Sequence, residues 1–303
     1  MPGVTQNRTL VSGANGMVGS ALMEHLQRKA SSACRLLRSP HPGTTPFFLW
    51  NPSAGKIDRA CFEGVNRVVH LAGDNISDGR WTAAKKSQIL QSRIQSTQLL
   101  CRSLAQLDTP PRVLVSASAV GFYGDRGAEV LTEDSAAGSG FLAEVCQAWE
   151  ENTEPARQAG IRCVLLRIGV VLSPQGGALS KMLPPFRLGL GGRIGSGQQF
   201  ISWITLNDLV AAIDHCLENT SLSGPVNAVA PGAVTNLEFT RALGKALGRP
   251  TLFPLPSLIA KLIFGEMAEA TLLASTRAQP SKLAATGFRF SSPDIHTAFT
   301  GLR

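Results

Sequence analysis

The sequence predicts an α/β fold: a doubly wound, parallel sheet with a smaller, mainly helical lobe toward the C-terminal end. Three observations carry this. Short apolar runs alternate with amphipathic stretches through the first half of the 303 residues, the pattern of a parallel sheet covered by helices on both faces. Where the first run meets the first helix, glycines recur at three-residue spacing, at Gly13, Gly16 and Gly19. Beyond residue 230 a largely helical tail shows clear helix-start signals.

Strand candidates lie near 7–12, 33–38, 47–50, 67–71, 112–116 and 162–167, and helical patterns fill 17–30, 82–107 and 142–159. The turn Pro174-Gln-Gly-Gly177 ends the regular part, and Gly224-Pro-Val-Asn-Ala-Val229 returns to the sheet. Thr235-Asn-Leu-Glu238 has the form of a capping box, in which hydroxyl and carboxylate each satisfy a free backbone N–H. The helix it opens should run to about Gly248. Ser292-Pro293-Asp294 opens the last helix.

The glycine segment, Leu10-Val-Ser-Gly-Ala-Asn-Gly-Met-Val-Gly-Ser20, reads as strand, tight turn and helix, with Val18, Leu22 and Leu26 on one helical face. Gly13 permits the bend, Gly16 lets backbone approach a ligand, and Gly19 lets the helix pack on the strand. The free N–H groups of the first helical turn would then face a pyrophosphate. This Rossmann-like arrangement predicts dinucleotide contacts at Gly13, Asn15, Gly16, Met17, Val18 and Gly19. A second reading is a glycine-rich turn that merely packs helix on sheet.

The second strand refines the ligand. An NAD site would place a carboxylate near its end, on the adenine ribose hydroxyls, yet no Asp or Glu occurs between Glu24 and Asp58. The strand ends instead in Arg38-Ser39, with Arg35 nearby. A guanidinium suits the 2′-phosphate of NADP, so Arg38 and Ser39 are predicted NADP contacts. The alternative is a solvated arginine at a strand end.

Composition narrows the function. With 44% hydrophobic and 17% charged residues, the chain is of the soluble globular kind. The net charge of +8 is dispersed, with no basic run longer than Lys85-Lys86, which argues against nucleic acid and for anionic small ligands. The longest apolar stretches, such as Leu255–Phe264 with its interrupting Pro256, Ser257 and Lys261, are too short to span a bilayer. No membrane partner is therefore expected. The first eight residues lack the apolar core of a signal peptide. Six scattered cysteines without a Cys-x-x-Cys pair read as reduced thiols of a cytoplasmic protein. No metal site is expected.

His70-Leu-Ala-Gly73, Arg167-Ile-Gly-Val-Val-Leu-Ser-Pro174 and Trp203-Ile-Thr-Leu-Asn-Asp208 resemble three motifs of the extended short-chain dehydrogenase/reductase superfamily. More specifically, the chain resembles an atypical branch catalogued as nucleoside-diphosphate-sugar epimerases or cell-division inhibitors. Its marks are Arg80-Trp81, Ser92-Arg93, Phe141-Leu-Ala-Glu-Val-Cys-Gln-Ala-Trp-Glu150 and Met182-Leu-Pro-Pro-Phe-Arg-Leu-Gly-Leu-Gly-Gly192. The resemblance covers nearly the whole chain, including a small C-terminal domain from about residue 250. It implies cofactor contacts at Leu71, Ala72 and Gly73 and, beside the nicotinamide, at Val171. The expected division is an NADP-binding domain over 1–175, with its sheet completed by 203–230. A substrate lid over 176–202 and a lobe over 231–303 follow.

Catalysis in the superfamily uses a tyrosine as proton donor, a lysine four residues on, and a serine that positions substrate. Here the tyrosine position falls on Phe141 and the lysine position on Val145, while Ser118 matches the serine. Tyr123, the chain's only tyrosine, is the candidate replacement acid; the other reading makes it a turn tyrosine with a satisfied hydroxyl. Ser118 either contacts substrate or caps its strand end. His70 reads as a buried structural histidine.

Arg93 sits among the inward-facing positions Leu90, Ile94 and Thr97 of a long helix, so it needs an anionic partner. A cofactor phosphate is one, and a structural carboxylate is the other. Lys181, Arg187 and Arg193, set among glycines and prolines, suit a lid over a small anionic substrate, or simply a structured surface loop. Two functions follow: an NADP-dependent, epimerase-like oxidoreductase, or an NADP-dependent sensor without catalysis.

Overall fold

The computed structural model describes residues 8–40 and 45–302. Residues 1–7, read above for a signal peptide, lie outside the described residues. Strands β1 (Arg8–Ser12), β2 (Ala33–Leu37), β3 (Phe47–Asn51), β4 (Lys56–Ile57), β5 (Val65–His70) and β6 (Val113–Ala119) come first. The short β7 (Val130–Leu131) follows, then β8 (Arg162–Ile168), β9 (Val170–Ser173), β10 (Phe200–Ile201), β11 (Trp203–Thr205), β12 (Gly224–Ala228), β13 (Val234–Thr235) and β14 (Arg277–Ala278). One eight-stranded sheet runs β12-β8-β6-β5-β1-β2-β3-β4. It is parallel except for β4, which pairs antiparallel with β3.

Helices cover both faces, as the alternation predicts. Helices α1 (Met17–Arg28) and α6 (Leu206–Glu218) bury Leu22, Leu26, Leu209 and Ile213 against one face. On the other face α2 (Ala83–Ala105) buries Leu100 and Leu104. The helix expected over 142–159 is two: α3 (Phe141–Glu151) and α4 (Glu154–Gln158). Pro155 has no N–H for an intrahelical bond and its ring crowds the preceding turn, so it is accommodated only where a new helix starts. Of the 203–230 stretch only β12 joins the large sheet; β11 pairs with β9 in a ribbon of its own.

The part expected to be a lid begins as a helix, α5 (Gly177–Arg187), whose Leu179, Leu183 and Phe186 are buried. They share a core with Phe239 and Leu243 of α7 (Asn236–Leu247) and with Phe299. The predicted capping box is present at Thr235 and Glu238, and Gly248 ends α7 in the left-handed conformation. Helix α8 (Ser257–Phe264) is followed by a π-turn over Ala268–Leu272. The tail then divides its packing. Leu283 of α9 (Ser281–Ala285) and Phe288 return to the core of the large sheet, whereas Ile295 of α10 (Ile295–Ala298) joins the α5–α7 core.

His70 links three of these elements. It is fully buried at the end of β5. Its Nδ1 lies 2.6 Å from Ser12 Oγ of β1 and its Nε2 3.0 Å from Thr97 Oγ1 of α2. Burial disfavours the imidazolium and pulls the pKa down to about 3. Unfolded, the same group titrates near 6.5. Between these values the unfolded chain holds the extra proton, so stability falls as the pH falls. The urea midpoint is expected to be flat above neutrality and to drop toward acid, by about 2 kcal/mol of stability at about pH 5. A His70→Gln variant should lose that slope; an unchanged slope in the variant would assign it to other groups.

Candidate functional site

The strand order reverses direction between β1 and β5, the place where open α/β sheets bind ligands at the carboxyl ends of their strands. Two loops flank that point: Gly13–Gly16 after β1 and Leu71–Gly73 after β5. They must pass very close. Gly13 has a φ of +71°, and a Cβ there would lie 2.7 Å from the Leu71 carbonyl carbon and oxygen. At Gly19 a Cβ would lie 2.2 Å from the Gly13 oxygen, so helix α1 can meet β1 only through glycine. No side chain caps α1 and no acidic residue sits in its first turn, which leaves that end to an external anion.

A groove of about 580 Å³ opens there. Of the residues predicted for the cofactor, Gly13, Asn15, Gly16, Arg38, Ser39, Leu71, Ala72 and Gly73 line it. Five others hold positions around it. Val18 packs on the core and Gly19 against β1. The Met17 side chain meets Gly176 and Gly177 at the start of α5. Val171 lies in β9, paired with Ile204 and packed on the core.

Arg93 lies behind Gly73, where a Cβ would come within 3.2 Å of its Cζ. Its Nη1 donates to the carbonyls of Asp74 and Ile89, and its guanidinium stands 4.8 Å over the Trp149 ring. Burial lowers its pKa against the opposing influence of Cys146 and Asp74. Among the described residues no carboxylate pairs with it within 4.0 Å; Asp74 is paired with Lys85. Of the two partners considered, the structural carboxylate is therefore absent among the described residues, and carbonyls and an indole face hold the guanidinium instead.

The opposite wall was not read from the sequence. Trp50 and Asn51 at the end of β3, with Pro52 and Ser53 just after it, line the groove, and Gln88, Gln91, Ser92, Gln95 and Ser96 line it from α2. The signal was available: polar residues spaced by three and four along 88–96 form one helical stripe. Arg35 does not line the groove. It faces a separate cavity of about 250 Å³ beside Asn15, Ser20 and Glu24, and its Nη2 donates to the Thr45 carbonyl.

The catalytic positions are different in kind. Phe141 and Val145 lie in an apolar cluster with Trp81, Ile89 and, from the C-terminal part, Met267. Tyr123 is 0% exposed, and its hydroxyl sits 2.7 Å from Asn227 Oδ1 and 3.0 Å from the Thr132 carbonyl while accepting from Arg167 Nη1. Burial raises its pKa, and Arg167 offsets that only in part. Of the two readings of Tyr123, this geometry is that of the turn tyrosine with a satisfied hydroxyl and not that of the replacement acid, because its proton is held inside a buried network.

Ser118 is likewise committed. Its Oγ donates to Glu150 Oε1 at 2.7 Å, so it holds α3 on β6 instead of pointing a free hydroxyl at substrate. Glu150 in turn grips Arg167 through two bonds of 2.9 Å. Of the three cations in the segment expected to be a lid, Arg193 is spent on the Gly195 and Ser196 carbonyls, and Lys181 reaches across to Ser77 Oγ.

Residues 9–229 match the NAD dependent epimerase/dehydratase family, and residues 255–302 match a domain of unknown function, DUF1731. The epimerase family protein MT2273 of Mycobacterium tuberculosis is 44% identical over 288 residues, covering 95% of each chain. The human epimerase family protein SDR39U1 (isoform 2), crystallised with NADPH, superposes with a TM-score of 0.88 at 35% identity, over 96% of this chain and 97% of that one. The Thermus thermophilus UDP-glucose 4-epimerase, in complex with NAD, shares the fold at a TM-score of 0.74 and 19% identity, over 98% of this chain and all of that one. With the family match reaching from the glycine loop to the last strand of the sheet, the chain belongs to the NAD dependent epimerase/dehydratase family.

Proposed function

We propose that this protein binds NADP(H) in the groove between β1 and β5 and acts as an epimerase-like oxidoreductase on a small substrate. One observation carries the cofactor assignment: the groove joins the uncapped start of α1 to Arg38 and Ser39, with no carboxylate at the end of β2. The residues fit the ligand. Gly13 to Val18 would receive the pyrophosphate, Arg38 and Ser39 the 2′-phosphate, and Leu71, Ala72 and Gly73 would lie along its edge with Arg93 behind. Val171 would stand toward the nicotinamide. The similarity to a human relative crystallised with NADPH supports the same choice.

Bound there, the nicotinamide would supply a hydride donor or acceptor. What this chain lacks is the usual proton donor, because Phe141 and Val145 cannot move a proton. Tyr123 and Ser118 serve the fold. Lys181 and Arg187 are the lid cations left for an anionic substrate. The buried, unpaired cysteines suit a reducing, cytoplasmic setting.

The apolar cluster at Phe141 and Val145 also favours a second reading, an NADP(H)-dependent binding protein without turnover. A panel of carbonyls and nucleotide sugars, followed by loss of NADPH absorbance, separates the two. Turnover that survives Tyr123→Phe is the result expected of the enzyme. Tight NADPH binding with no turnover on any compound would establish the binding protein.

A further inference from the structure

The apolar stretch that is too short to span a bilayer, Leu255–Phe264, is not buried. Helix α8 turns only Ala260 inward. Leu258, Ile259, Leu262 and Ile263 face solvent, with Leu258 77% and Leu262 75% exposed. Spaced four apart, these two leucines stand on one helical face.

Other side chains extend the patch. Leu252 is 76% and Leu188 75% exposed, and Phe253 and Leu190 are exposed beside them. The two segments are stitched together: Phe253 N–H donates to the Gly191 carbonyl and Leu255 N–H to the Arg193 carbonyl. Gly192 lies so near Phe253 that a Cβ would overlap its carbonyl. Exposed large apolar side chains gathered on joined and consecutive segments in this way mark an interaction site.

Charge identifies the partner. Residues 187–193 and 245–265, which carry the exposed leucines, hold five cations (Arg187, Arg193, Lys245, Arg249 and Lys261) and no Asp or Glu. Lys261 pairs with Glu269 beyond the end of α8; the other four have no carboxylate partner within 4.0 Å among the described residues. A second copy of the chain would bring like charges together across a two-fold axis. Leucines three-quarters exposed stand proud of the surface, and a fluid hydrocarbon accepts such a ridge without a matching groove.

From these observations we infer that this face docks onto the surface of an anionic lipid bilayer. The ridge of Leu188, Leu252, Leu258 and Leu262 enters the headgroup region, and Lys245 and Arg249 meet the lipid phosphates. The contact is peripheral, since among the described residues no helix is long and apolar enough to cross a membrane. It leaves the groove between β1 and β5 free, so it does not depend on the cofactor assignment.

The test is co-sedimentation of the purified full-length protein with phosphatidylcholine vesicles, without and with about 30 mol % phosphatidylglycerol. The bound fraction should rise about tenfold with the anionic lipid and fall back in high salt. Leu258→Gln with Leu262→Gln should abolish the binding, and Lys245→Glu with Arg249→Glu should do the same. Both pairs are exposed, so thermal unfolding should match the wild type and certify the fold. Equal, low retention on both vesicle types would overturn the proposal. So would a wild-type dimer in sedimentation velocity that the leucine variant turns into a monomer, because a second copy would then cover the face.

Discussion

Replacing Arg167 by methionine is expected to cost about 3–5 kcal/mol of stability, the scale for removing one partner of a buried ion pair. Arg167 is buried, bonded twice to Glu150, and stacked 3.4 Å over the Phe122 ring. Burial works against its charge, but the Glu150 carboxylate outweighs it and leaves the pKa raised. Without the guanidinium, Glu150 keeps only Ser118 as a donor in this network, and Tyr123 loses the bond it accepts. The double variant Arg167→Met with Glu150→Met should recover much of the loss, since no charge is then stranded. Urea unfolding of the single variants and the double variant measures this. A loss below about 1 kcal/mol for Arg167→Met would show that the pair is solvated and only ornamental to the fold.

Gly13→Val is expected to be almost as costly and to remove NADPH binding as well. Valine at a φ of +71° is strained, by about 1–2 kcal/mol for the left-handed backbone alone. Its Cβ would also sit 2.7 Å from the Leu71 carbonyl group. Either the loop after β1 or the loop after β5 must retreat, adding an overpacking penalty of about 1–3 kcal/mol. Both loops line the groove, so affinity and stability should fall together. A variant that unfolds earlier but binds NADPH with wild-type affinity would place the cofactor elsewhere.

Much of this was legible in the sequence, for definite reasons. The glycine spacing, the alternation of runs and the missing carboxylate after β2 are local signals, and each fixes local geometry. Thr235 and Glu238 form their capping box because four consecutive residues suffice. The partner of Arg93 was not legible, since helix periodicity gives its direction but not Trp149, 56 positions away, whose ring it faces. Tyr123 was open between two roles for the same reason. Asn227 and Arg167 close its network only when β8 and β12 become neighbours. The exposure of α8 was hidden too, because an apolar run reads alike whether it faces core or solvent.

In the proposed cofactor assignment, the Arg38 end of the groove selects NADP(H). Calorimetric titration of the wild type and Arg38→Ala with NADPH and NADH tests it directly. The wild type should prefer NADPH, and Arg38→Ala should lose about 1.5–3 kcal/mol toward NADPH, the scale of a charge-assisted hydrogen bond. Its affinity for NADH should stay unchanged. Equal wild-type affinities for the two cofactors, or an Arg38→Ala variant that weakens both alike, would contradict the claim.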